Sequence, residues 1–108
     1  MQKIKQVFEN PENKYAYVVS EIGVNHDGSL EKALELIQAS YEAGADAVKF
    51  QKRKLENIYS KSILEDANSA EWSFDYLIPL LKEVELSEKE YLKIKEKCDD
   101  LGIDLIIT

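Results

Sequence analysis

Four polar residues stand at the ends of apolar runs and could together form a small reactive site: Glu21, Lys49, Gln51 and Thr108. A carboxylate in such a place needs a reason, because burying an unpaired charge costs several kcal/mol. If the four side chains converge, a carboxylate, an ammonium and an amide could hold an anionic small molecule and move a proton beside it. The pattern therefore suggests a site for acid–base chemistry on an anion.

Each of these residues also has a structural interpretation. Glu21 could be an ion-pair partner or a helix-end cap, and Lys49 could pair with Glu21 for structure alone. His26 is the one histidine of the sequence and stands among Asn, Asp and Gly. A turn residue is the common role for such a histidine, and a ligand or a base is the functional alternative. Thr108, as the last residue, needs no role at all.

Two further groups could carry chemistry. The cationic run 52–54 is either a solvated surface or a clamp for an anionic substrate. Cys98 is the single cysteine, so it cannot form an intrachain disulfide, and its apolar neighbours at helical spacing predict a reduced core thiol over a reactive one.

The elements that must position the four polar residues alternate between strand and helix patterns. Residues 15–22 and 103–107 are apolar on both alternating faces, as in strands covered on both sides, and residues 45–51 form a short strand. Parallel strands bring their carboxyl ends to one edge of a sheet, where α/β proteins bind ligands. Glu21, Lys49, Gln51 and Thr108 should therefore lie on one rim.

Helical patterns join these strands. Ser29 is a plausible N-cap for a helix of about 14 residues, counted from the spacing of its apolar positions, and Gly44 stands where that helix should stop. Ser87, with Glu90 three residues later, matches a capping box, and Gly102 ends the helix that follows. Strand, helix, strand, helix, strand is the βαβ rhythm, which predicts an α/β fold with parallel strands.

Two expectations concern the ends of the chain. Residues 3–18 alternate loosely around a turn-rich break and predict a β-hairpin-like lead-in. Three parallel strands make neither a closed barrel nor an ordinary doubly wound sheet, and they leave exposed edges that most proteins avoid. The chain is therefore expected to be a fragment of a larger domain.

Composition narrows the class of protein. The 108 residues carry a net charge of −7, which argues against nucleic acid and anionic membranes as partners, because both are bound by clustered Lys and Arg. No apolar run approaches the roughly 20 residues of a membrane span, and no secretory signal is evident. A globular, cytoplasmic protein is the expectation.

Residues 20–51, SEIGVNHDGSLEKALELIQASYEAGADAVKFQ, resemble the amino-terminal signature of the sialic acid synthase family, the phosphoenolpyruvate-dependent nonulosonate synthases. The ending LGIDLIIT resembles the third strand of that family. The resemblance implies a partial (β/α)8 TIM barrel: its first three parallel strands with their helices, preceded by a β-hairpin. Residues 1–108 would be the amino-terminal fragment, without the rest of the barrel and the carboxy-terminal antifreeze-like domain.

The resemblance also implies roles for individual residues. Glu21 matches the acid/base glutamate of the family, Lys49 a lysine that binds phosphoenolpyruvate, and Gln51 a glutamine that contacts substrate. Thr108 matches a rim threonine near phosphoenolpyruvate, and Asn68 a sugar-binding asparagine. The implied reaction condenses phosphoenolpyruvate with N-acetylmannosamine or a related N-acetylated sugar and releases phosphate.

The implied cofactor of the full-length enzyme is a divalent metal, Mn or Mg, whose histidine ligands lie later in the barrel than any residue of this chain. The 108 residues alone are therefore expected to be inactive, and the full-length protein is expected to be a homodimer. Lys52 and Arg53 stand where many members have a small polar residue, which leaves the sugar open. Two alternatives remain: a non-catalytic stand-alone or assembly fragment that associates through its sheet edges, and another phosphoenolpyruvate-dependent 3-deoxy-sugar-acid synthase.

Overall fold

The structure, a computed structural model, describes residues 2–12, 14–52 and 74–108. None of the helices in these ranges combines the length and the apolar character that a bilayer crossing demands. The elements follow one another in the order α1 (Gln2–Glu9), β1 (Val19–Gly23), α2 (Leu30–Glu42), β2 (Ala47–Phe50), α3 (Phe74–Glu83), α4 (Glu88–Leu101) and β3 (Asp104–Ile107).

The three strands form one parallel sheet in the order β1-β2-β3, as the βαβ rhythm predicts. Glu21 stands opposite Lys49, and Lys49 stands opposite Ile106 on the next strand. Because register neighbours in a sheet point their side chains to the same face, these three residues share one face.

The core lies on the other face, between the sheet and helices α2 and α4. Val48 and Phe50 are fully buried there against Ile37 of α2 and Ile94 of α4. These two apolar residues of β2 alternate with Lys49, whose side chain lies on the opposite face. Cys98 of α4 joins the same core at 1% exposure, and burial raises the pKa of its thiol to about 11, as expected for an unreactive core cysteine.

The predicted helix ends are confirmed in their capping contacts. The Ser29 hydroxyl accepts a hydrogen bond from the Lys32 amide at the start of α2, which has 13 residues. At the start of α4, Ser87 and Glu90 exchange the two hydrogen bonds of a capping box. Gly102 ends α4 in the left-handed conformation, with φ of 74°. These contacts satisfy amide groups that the first helical turn leaves without partners.

The predicted β-hairpin over residues 3–18 is wrong, because α1 occupies Gln2–Glu9. Ile4, Val7 and Phe8 recur at the three- and four-residue spacing of a helix, and short apolar runs are ambiguous between helix and strand. An isolated hairpin is also only marginally stable without a further strand or packed face.

The first strand begins later than predicted, at Val19 instead of Tyr15. The two residues just before β1 bind aspartate side chains at the amino ends of the other two strands. The Val18 amide donates to Asp46 Oδ2 at 2.8 Å, and the Tyr17 hydroxyl donates to Asp104 Oδ2 at 2.6 Å. The Val18 carbonyl accepts from the amides of Asp46 and Ala47, so the first main-chain contacts to the β2 segment form just before β1 begins.

Candidate active site

The centre of the candidate site is an ion pair on the face of the sheet opposite the core. Lys49 Nζ lies 2.8 Å from Glu21 Oε2 across the β1–β2 register. The side chain of Glu21 is 52% exposed and that of Lys49 is 27% exposed. An ion pair this open to solvent adds at most about 1 kcal/mol to stability, so both groups are accessible to a ligand at little structural cost.

Strand alternation explains why the charges face outward. Ser20 and Ile22 flank Glu21 and point to the helical side, where Ser20 Oγ lies 2.7 Å from Ser40 Oγ of α2 and Ile22 is buried in the core. Glu21 therefore has to point to the opposite face. The outward direction of Glu21 thus follows from its place between two residues that point inward.

Gly23 is a site residue that sequence reasoning missed. The pairing of β1 with β2 shifts register between Glu21 and Gly23, and Gly23 has a φ of 57°. A Cβ at this position would lie 3.4 Å from Glu21 Oε1 and 3.9 Å from the side-chain amide of Gln51. The glycine thus keeps the backbone close to both polar groups. A glycine at a strand end that needs a left-handed conformation is the signal that could have identified it.

Gln51 and Thr108 lie at the carboxyl ends of β2 and β3, on the predicted rim. The Gln51 amide donates to Gly23 O at 3.3 Å, and the Lys52 amide donates to Thr108 O at 2.8 Å. The Thr108 amide donates to Phe50 O at 3.1 Å, and its hydroxyl lies 3.4 Å from the same oxygen. The structure therefore brings Glu21, Lys49, Gln51 and Thr108 to one edge of the sheet, with Glu21 and Lys49 in direct contact. Asn68 lies outside the described residues.

His26 occupies the loop between β1 and α2 and is buried, with 1% of its surface exposed. Its ring stacks on Phe50 at a centroid distance of 5.9 Å, and Nδ1 accepts a hydrogen bond from the Gly28 amide at 3.0 Å. Burial lowers the pKa of this imidazole, against smaller opposing effects of the carboxylates of Asp27 and Glu90. The structural interpretation, a histidine that shapes the loop, accounts for these contacts.

Lys52 does not behave as part of a solvated cationic run. Its ammonium lies 5.5 Å from the centroid of the Tyr91 ring and 3.8 Å from Glu88 Oε1, both on α4. These contacts join the residue that follows β2 to the first turn of α4. Residues 53 and 54 lie outside the described residues.

A divalent metal finds no ready site in the described part of the chain, where no three His, Cys, Asp or Glu side chains lie close enough together to hold one. His26 Nδ1 is already engaged by the Gly28 amide, and a catalytic divalent site needs about three protein ligands. No step of a mechanism is therefore assigned to a metal held by these residues.

The sequence profile described as the NeuB family matches residues 36–108. The N,N'-diacetyllegionaminic acid synthase of Legionella pneumophila is 36% identical over 110 aligned positions, which cover 98% of this chain and 30% of that protein. The human N-acetylneuraminate-9-phosphate synthase is 32% identical over 88 positions, which cover 81% of this chain and 24% of that protein.

A solved structure has the same arrangement of strands and helices. The N-acetylneuraminic acid (sialic acid) synthetase of Leptospira borgpetersenii, crystallised with citrate, superposes with a TM-score of 0.66 at 27% identity. The superposition covers 84% of this chain and 28% of that one. The chain therefore spans less than a third of the length of the proteins that it matches.

Proposed function

The chain belongs to the NeuB family, and from that premise we propose that it forms one part of the active site of a nonulosonic acid synthase. The proposed reaction joins phosphoenolpyruvate to N-acetylmannosamine or a related N-acetylated sugar and releases phosphate. The relatives named as sugar-acid synthases support the class of enzyme. The observation that carries the proposal for this chain is the accessible Glu21–Lys49 pair, 2.8 Å apart on the rim of a parallel sheet.

The geometry suits a distinct role for each residue. Lys49 supplies a positive charge for the anionic groups of phosphoenolpyruvate, and Glu21 exchanges a proton with a substrate group bound beside it. An anion that binds Lys49 competes with Glu21 for the ammonium, so substrate binding frees the carboxylate for proton transfer. Gln51 offers an amide to the sugar, and Thr108 a hydroxyl near phosphoenolpyruvate.

Three parts of the proposal reach beyond the described residues. Asn68 is assigned to the sugar by resemblance, the remaining strands of a (β/α)8 barrel would complete the pocket, and Mn or Mg would be held elsewhere in the full-length protein. The 108-residue chain alone is expected to be inactive, and the full-length form is expected to be a cytoplasmic homodimer.

The test uses the full-length protein and a panel of acceptors. Phosphate release from phosphoenolpyruvate is measured with N-acetylmannosamine, its 6-phosphate and 2,4-diacetamido sugars, in the presence of Mn or Mg. The 6-phosphate is included because three carbons added to a hexosamine move its C6 to C9, the position named in the human relative. Phosphate release with none of these acceptors would overturn the proposal. A non-acetylated phosphosugar is tested beside them, and release with that sugar alone would indicate a 3-deoxy-sugar-acid synthase.

Substitution of Glu21 tests its role in the same assay. Glu21→Gln should lower kcat by roughly 10²–10⁴-fold, the usual contribution of a general acid or base. Glu35→Gln is the matched control, because Glu35 is an exposed carboxylate on α2, away from the rim. An equal loss in both variants would contradict a catalytic role for Glu21.

A further inference from the structure

In the described part of the chain His26 is the one buried polar residue, with 1% of its surface exposed. It lies between two segments that meet at the rim. It lies in the loop that leaves β1 directly after Gly23, and its ring stacks on Phe50. Phe50 stands between Lys49 and Gln51 in the sequence, with its side chain on the opposite face. The imidazole therefore contacts the end of β2 on the core face of the sheet, whereas the Glu21–Lys49 pair lies on the opposite face.

The hydrogen bonding of the ring defines its protonation state. Nδ1 accepts from the Gly28 amide at 3.0 Å, and an accepting nitrogen carries no proton. The neutral ring therefore holds its proton on Nε2. Nε2 is buried and has no hydrogen-bond partner among the described residues. A buried N–H group without a partner is rare in native proteins and calls for an explanation.

The loop has little freedom to move while this hydrogen bond is intact. Asp27 and Gly28 both have positive φ, 54° and 76°. A Cβ at Gly28 would clash with the carbonyl oxygen of Glu83 at the end of α3. The loop is thus held on one side by the imidazole and on the other by close backbone contact with α3.

We propose that His26 is a positioning residue for the rim: its neutral imidazole holds the β1–α2 loop against the end of β2 and so maintains the spacing of Glu21 and Lys49. This inference rests on the function proposed for that pair. A second proton on the ring would go to Nδ1, where it would face the amide proton of Gly28. Two donors would then oppose each other, and the hydrogen bond that closes the loop would be lost.

The charges around the ring indicate the direction of its pH dependence. Asp27 in the loop and Glu90 on α4 favour the charged imidazole, and β2 contributes the uncharged Phe50 ring. Burial outweighs the two carboxylates, so the pKa of His26 is lowered in the folded protein. Because the unfolded chain binds the proton more readily, the neutral His26 ring makes its full contribution to the free energy of unfolding above the ordinary pKa of about 6.5. That contribution is lost as the pH falls through the lower pKa that His26 has in the folded protein.

Nuclear magnetic resonance of the 108-residue chain tests the geometry without an activity assay, since its one histidine gives an unambiguous signal. We expect the Nε2–H tautomer at pH 8 and a His26 midpoint below 6.5. The amide signals of Gly28, Lys49 and Gln51 should shift with that same midpoint. An Nδ1–H tautomer, a midpoint of 6.5 or higher, or rim amides that do not follow the histidine would overturn the proposal.

Two variants test separately the hydrogen-bond acceptor of His26 and the stacking of its ring on Phe50. Asn at position 26 keeps an oxygen acceptor for the amide two residues later, as in an Asx turn, but cannot titrate in this range. H26N should therefore abolish the acid-dependent shift of the Lys49 and Gln51 amides while keeping the Gly28 hydrogen bond. H26F keeps a ring on Phe50 and loses the acceptor, so the rim amides should differ from wild type at every pH. A wild-type pH response in H26N would contradict the proposal.

The full-length protein extends the test to catalysis. The acid limb of kcat/KM should follow the His26 midpoint in wild type and should be absent from H26N. If the full-length protein makes no nonulosonic acid with any acceptor, the proposed function fails, whereas the resonance measurements still decide whether His26 positions the rim. An acid limb unchanged in H26N would sink the positioning role alone.

Discussion

At the scale of single residues, the sequence specified which side chains reach the rim, and the structure showed which of them touch. The polar ends of apolar strands predicted that Glu21, Lys49, Gln51 and Thr108 would share one edge. The contact between Glu21 and Lys49, 28 residues apart, depends on the cross-strand register and on side-chain rotamers. The contact between Lys52 and the Tyr91 ring could not be predicted either. Both partners of Lys52 lie on α4, far from it in the sequence.

Because the Glu21–Lys49 pair is exposed, we expect a substitution in the pair to change catalysis while leaving the stability of the fold nearly unchanged. Glu21→Gln should change the free energy of unfolding by less than about 1 kcal/mol, because ion pairs open to solvent contribute little. Urea denaturation of the 108-residue chain measures this quantity. The large loss of kcat that the proposed function predicts for the full-length protein would then reflect chemistry and not unfolding. A destabilisation of several kcal/mol would instead support the purely structural role of the pair.

At the scale of elements, helix ends were predictable and the first element was not. Capping residues act locally, so Ser29 and Ser87 could be identified from a few neighbouring residues. The assignment of residues 2–9 depends on a weak, short apolar pattern that fits both helix and strand. The β1–α2 loop depends on contacts with α3, which no local pattern encodes.

The capping box of α4 gives a prediction at this scale. Ser87→Ala removes the hydroxyl that accepts from the Glu90 amide and should destabilise the chain by about 1 kcal/mol. Ser87→Asp should restore most of that loss, because aspartate is an equally good N-cap. Thermal or urea unfolding measures both variants. Equal destabilisation by Ala and Asp would show that the cap does not contribute through its oxygen.

Gly28 and Gly102 form a matched pair for testing the loop contact. Both have positive φ, 76° and 74°, so alanine at either position carries a conformational cost of about 1–2 kcal/mol. Only at Gly28 would the added Cβ meet another backbone, the carbonyl of Glu83, whereas nothing lies within 4 Å at Gly102. Gly28→Ala should therefore lower the unfolding free energy clearly more than Gly102→Ala. Equal losses in urea denaturation would argue against close contact between the loop and α3.

At the scale of the whole molecule, polar contacts at the amino ends of the strands hold the sheet together opposite the rim. The Tyr17 hydroxyl reaches Asp104 at the start of β3, and the Asp104 amide donates to the Asp46 carbonyl before β2. These contacts thereby connect the amino ends of all three strands at one end of the sheet. Glu21 and Lys49 at the other end remain open to a ligand.

The connection through Tyr17 predicts a loss of stability in alkali. Burial, and then the hydrogen bond to Asp104, raise the pKa of Tyr17 above its ordinary value of about 10. Because the pKa of Tyr17 is higher in the folded than in the unfolded chain, its hydroxyl contributes fully to the free energy of unfolding below about pH 10. The contribution declines as the pH rises further. Tyr17→Phe should lower the unfolding free energy by about 1–3 kcal/mol at pH 8.

Urea titrations at pH 8 and pH 11 test that prediction, because the Tyr17→Phe chain should lose less stability between the two than wild type. Part of the decline should remain, since the pKa of Tyr91 is also raised by burial and that of Lys95 by its hydrogen bond to Asp99. An identical decline in wild type and variant would contradict the role of Tyr17.

The sequence by itself determined the alternation of parallel strands with the helices α2 and α4, and the edge at which the polar residues gather. Those features follow from periodicity and capping, which act over a few residues. Only the tertiary structure decided that Glu21 touches Lys49, that Gly23 beside them adopts a positive φ, and that His26 is buried on the core side of the sheet. These outcomes depend on register between strands and on packing between segments far apart in the chain, and local sequence patterns carry no direct record of either.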